Sequence, residues 1–83
     1  MAKAQYMFPK FAIDGLHMAA AQMASAESHM KSKAIQMTGA ETCAYFPHTN
    51  RTFYKGLYGS AWVKSEYRPK DRWVVWIESE LLN

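Results

Sequence analysis

Apolar residues recur at spacings of three and four from Leu16 onward: Leu16, Ala19, Ala20, Met23, Ala26, Met30, Ala34 and Met37 fall on one stripe of a helix. Ser25, His29, Ser32 and Gln36 fall opposite. Glu27 lies inside the stripe by this geometry, yet it can pair with Lys31 one turn later and lean to the rim. Asp14 suits an N-cap, because its carboxylate can accept the backbone N–H groups left over in a first turn. Lys31 and Lys33 sit where cations favour the macrodipole, and Gly39 can take the left-handed conformation that closes a helix. The pattern predicts a helix over residues 14–38.

Ahead of it, residues 4–13 mix aromatic, β-branched and basic side chains around Pro9. Proline cannot donate to a ladder, so this segment reads as a short or edge strand. A helix starting at Pro9 would bury Gly15 within it at about 1 kcal/mol relative to alanine. After Gly39 the texture changes: nine of the twelve Phe, Trp and Tyr residues lie beyond position 44, interleaved with Thr, Val and basic residues in two-residue alternation. That half is sheet. It predicts strands at 41–46, 52–58, 60–68 and 72–78, with turns at 47–51 and 69–71 and a break or bulge at Gly59. The tail, with Leu81 and Leu82, can add a helical turn. The economical solution is α+β: one amphipathic helix packed on a three- to five-stranded antiparallel sheet, in the order β-α-β-β-β with an optional further strand. No repeat, linker or boundary divides the 83 residues, which read as a single small domain.

Alternation assigns Phe53, Leu57, Ala61, Val63, Tyr67, Val75 and Ile77 to the face under the helix. The opposite set is Tyr54, Tyr58, Trp62, Lys64, Arg68 and Trp76, although Gly56 and Gly59 permit a register slip that would swap members. One helix covers one face. At least one of Tyr54, Tyr58, Trp62 and Trp76 is therefore expected to be exposed or to meet a partner.

Composition sharpens this picture by exclusion. At 49% hydrophobic and 14% aromatic the chain is too apolar for disorder. A single core of this size supplies roughly 3–5 kcal/mol, which makes a partner attractive as extra burial. The longest uncharged stretch of the helical region, residues 15–26, contains His17 and Gln22 and falls short of the about 20 apolar residues of a membrane span. Lys10 and Asp14 interrupt the one region that could serve as a secretory signal. Asn50-Arg51-Thr52, formally a glycosylation sequon, then reads as a turn. The lone Cys43 suits a reducing compartment, so a cytoplasmic location is expected, and it reads as a small buried hydrophobe.

Candidate chemistry is sparse. Cys43 and His48 form the only nearby mixed pair of metal-ligand type, and His17 and His29 lie on different helix faces. Cys43, Ser60 and Ser65 lack the signature of an activated nucleophile. Glu66, Asp71, Glu78 and Glu80 each neighbour a cation or end a strand, where ion pairing is the plain explanation. No enzyme, cofactor or metal site is expected. Binding remains. Residues 51–73 carry Arg51, Lys55, Lys64, Arg68, Lys70 and Arg72 against Glu66 and Asp71, a net +4 within a chain of net +3. Aromatics among cations can stack nucleic-acid bases or make a protein hot spot. A net charge of +3 is modest for a nucleic-acid binder, which tilts the expectation toward a protein.

The expected function is a non-enzymatic inhibitor or regulator that presents its aromatic-basic face to a larger cytosolic protein or ribonucleoprotein complex. In size and character the chain is similar to small bacteriophage proteins that block restriction or CRISPR machinery, an analogy that no motif carries. The alternatives are a single-stranded nucleic-acid or nucleotide binder that stacks bases on Tyr54, Tyr58 and Trp62, and a structural homo-oligomer joined through an open face or edge.

Overall fold

From Cys43 to Leu82 the chain runs as an antiparallel meander, each strand hydrogen-bonded to the one before it. The computed structural model describes residues 3–7, 11–14, 19–68 and 72–82, and the side chains within 24–67 and 73–82. Its elements are β1 (Lys3–Met7), β2 (Phe11–Asp14), α1 (Ala19–Thr38), β3 (Cys43–Phe46), a 3-10 turn (Pro47–Thr49), β4 (Arg51–Gly56), β5 (Gly59–Arg68) and β6 (Arg72–Leu82). The sheet order is β1-β6-β5-β4-β3, and β2 also pairs with β6. This is an α+β fold, one helix on an antiparallel sheet.

The segment around Pro9 forms two strands on the outer side of β6: β1 faces residues 78–82 and β2 faces 72–75. Pro9 itself lies outside the described residues, as do the turn at 69–71 and His17. Asp14 does not open the helix. It ends β2 opposite Arg72, so its backbone belongs to a ladder. The tail is not helical either. Ser79 to Leu82 extend β6, because β5 and β1 offer ladder partners on both sides and leave no backbone group to gain from a turn.

Helix α1 ends as expected at Gly39, which has φ 72° and donates its N–H to the Ile35 carbonyl at 2.8 Å. Ala26, Met30, Ala34 and Thr38 are its buried ridge, spaced four apart, while Ser25, His29, Ser32 and Gln36 face outward. Thr38 was not in the apolar stripe; its hydroxyl donates to the Ala34 carbonyl at 2.7 Å, so it can be buried satisfied. The ridge rests chiefly on β5 and β6. There Ala61, Val63, Val75 and Ile77 complete the core, with Ile77 fully enclosed.

Which residues point into that core departs from strict alternation at one place. Leu57 and Tyr58 make a two-residue turn, so Phe53 pairs with Trp62 and Tyr54 with Ala61. Odd positions of β4 therefore share a face with even positions of β5. Between β5 and β6 parity is kept, as Val63 pairs with Ile77. Three assignments are corrected in consequence. Tyr54 lies under the helix side of the sheet and is 3% exposed; Phe53 lies on the opposite face; Leu57 is in the turn and 83% exposed. Tyr67 keeps the parity of the core face but is exposed, its ring centroid 5.2 Å from that of Trp73. At Gly59 the expected break or bulge is a break: Gly59 opens β5 with φ 138°, pairs with Gly56 and closes the hairpin. Cys43 is also corrected. It is exposed on β3 rather than buried.

Candidate protein-binding face

The face of the sheet turned away from α1 can be read row by row from the register. One row is Phe46, Arg51, Lys64 and Trp76; the next is Ala44, Phe53, Trp62 and Glu78; a third is Lys55, Ser60 and Glu80. Of the expected binding residues, Trp62, Lys64 and Trp76 are brought together here. Arg68 has the same parity and pairs with Arg72 at the far end of β5. Tyr58 stands apart, 61% exposed in the turn at the end of the meander, and Tyr54 is on the other face.

The first two rows owe their alignment to the loop before β4. Pro47 starts the 3-10 turn, and Asn50 takes the left-handed conformation that asparagine tolerates, with φ 47°. Its carbonyl accepts the Ser65 N–H at 3.0 Å, which fixes β4 against β5. Phe46 and Arg51 are thereby set opposite each other. The Arg51 guanidinium carbon lies 4.4 Å from the centroid of the Trp62 ring and 5.5 Å from that of Phe46. The Phe53 and Trp62 rings are 4.6 Å apart, and Phe46 and Trp62 are 5.5 Å apart, both tilted. Arg51 Nε is buried without a hydrogen-bond partner among the described residues. The ring quadrupoles supply part of the compensation that an acceptor would otherwise give.

Beside this cluster the charges are paired. Glu78 binds the Lys64 ammonium through one carboxylate oxygen and accepts the Trp76 indole N–H at 3.1 Å through the other. The carboxylates read from the sequence as ion-pair partners include this one. Among the described residues, no group of three His, Cys, Asp or Glu side chains could hold a metal ion, and no helix is long and apolar enough to cross a membrane.

Phe46, Arg51 and Phe53 are members of this face that sequence reasoning left out. Arg51 and Phe53 are separated by the two-residue period that signals a shared strand face. The parity of the β4–β5 turn hid Phe53, whereas Arg51 falls in the turn expected at 47–51 but opens β4, and the strand of Phe46 has no expected facing. No family model matches the chain, and no curated protein or solved structure matches it.

Proposed function

We propose that the chain is a small non-enzymatic protein-binding module, an inhibitor or regulator that works by occupying a surface of a larger cytosolic protein or ribonucleoprotein complex through its helix-free sheet face. The carrying observation is the Arg51–Trp62–Phe53–Phe46 cluster. Tryptophan, tyrosine and arginine dominate interface energetics, and here Arg and Trp are already stacked, so little side-chain freedom remains to be lost on binding. Blocking a host-defence or regulatory assembly needs no more chemistry than this. Nucleic-acid stacking is less well served. Tyr54 is buried, and the rings of Trp62 are already flanked by Arg51, Phe46 and Phe53, where a base would have to lie.

The test is affinity purification from source-cell lysate with the wild-type chain and with an Arg51→Ala/Trp62→Ala variant, each with and without nuclease. A protein retained through nuclease treatment and lost with the variant is expected, with circular dichroism confirming that the variant folds. Equal recovery by both chains would reject the reading. Loss on nuclease treatment would reassign the face to nucleic acid.

A further inference from the structure

The third row of the helix-free face has a small residue at its centre. Ser60 lies between Lys55 on β4 and Glu80 on β6, and the next row places Phe53 and Trp62 alongside. With so little side chain at that point, an open cleft of about 280 Å³ remains above Ser60. Phe53 and Leu82 form its apolar walls, Lys55 and Glu80 its charged rim, and the Gly56–Gly59 hairpin backbone closes one end.

We infer that this cleft receives a single tryptophan or tyrosine side chain from the protein that docks on the face, an anchor that rests on the reading proposed above. Size is the first argument. The volume lies just below the range of roughly 300–1,000 Å³ typical of sites that enclose a whole small-molecule ligand, and it suits one large side chain. Chemistry is the second. A rim carrying one charge of each sign disfavours a charged occupant, while apolar walls favour an aromatic body. The Ser60 hydroxyl is an acceptor for an indole N–H or a phenol O–H, which need a partner when buried. Position is the third. Phe53 lines the cleft and also touches Trp62, so an entering ring extends an aromatic cluster already present.

The probe is N-acetyl-tryptophanamide, titrated into the 15N-labelled full chain and followed by amide shifts, with N-acetyl-alaninamide as control. Saturable shifts are expected at Lys55, Ser60, Glu80 and Leu82, with a Kd on the order of 1 mM as befits a fragment, and none with the control. Ser60→Trp fills the cleft with its own ring and should weaken the probe by about tenfold or more; Ser60→Leu is a smaller plug should the first variant fold poorly. Absence of saturable shifts in the wild type overturns the proposal, as do shifts that survive both plugs. A silent cleft alongside partner loss in the Arg51→Ala/Trp62→Ala chain removes the anchor and leaves the face reading standing. A responsive cleft with full partner retention by that variant removes the face reading and the anchor's role with it.

Discussion

Arg51 holds its guanidinium 4.4 Å from the ring centroid of Trp62 across the β4–β5 ladder, two residues from its register partner Lys64. The two are therefore diagonal neighbours on the half-buried, helix-free face, where a cation–π contact is worth about 0.5–1 kcal/mol. A double-mutant cycle of Arg51→Ala and Trp62→Ala, read by urea unfolding, should return a coupling of that size. A coupling of zero would mean that the two side chains are adjacent without interacting.

The hairpin tip is docked on the end of the helix: the Tyr58 N–H donates to the Thr38 carbonyl at 3.0 Å. A Cβ added at Gly56 would overlap that same Thr38 carbonyl oxygen and the Gly39 backbone, neither of which is a flexible group that can swing aside. Gly56→Ala should cost about 1–3 kcal/mol from overpacking. Ser60→Ala on the other face should stay within about 0.5 kcal/mol. Equal unfolding midpoints for the two variants would contradict this docking.

Ile77 is fully enclosed among α1, β5 and β6 residues. Truncation to alanine should cost about 2–5 kcal/mol, against about 0.5–1.5 for Ile77→Val. The larger figure is comparable to the whole margin of roughly 3–5 kcal/mol that a core of this size supplies. Ile77→Ala is thus expected to be largely unfolded at room temperature by circular dichroism and amide dispersion, whereas Ile77→Val remains folded.

Tyr54 is held neutral in the fold. Burial, with the cross-strand neighbour Cys43 as the next cause, pushes its phenol from 10.0 up to about 12. A group whose pKa is raised on folding contributes stability that is complete below the unfolded value and is lost as the pH rises through the folded one. The loss attributable to Tyr54 should fall between pH 10 and about 12. Tyr54→Phe keeps the ring and removes the titration. The melting-temperature difference between wild type and variant should be flat below that window and change within it; a difference independent of pH across the window would show the phenol to be solvated.

Much of the architecture could be read from local pattern. The three-and-four spacing around Ala26, Met30 and Ala34 located the helix, Gly39 its end, and aromatic alternation the meander. The helix start was less legible. Asp14 has a capping side chain, but pairing with Arg72 on a distant strand claims its backbone, and no local rule anticipates a ladder formed 58 positions along the chain. The face was legible in part. Trp62, Lys64 and Trp76 share a face as expected because β5 and β6 keep parity, while Tyr54 and Phe53 exchange faces because β4 and β5 do not, and Arg51, expected in the turn, opens β4 instead.

The chain by itself determined which segments become helix and strand, because those periods are properties of neighbours within a few residues. Tertiary structure alone decided which side of β4 meets the core. Side chains alternate with a period of two, so one residue more or less in a turn inverts a whole strand, and that count is set at Gly56 and Gly59, where the hairpin closes against the end of the helix. The Arg51–Trp62 contact and the cleft above Ser60 follow from that single offset.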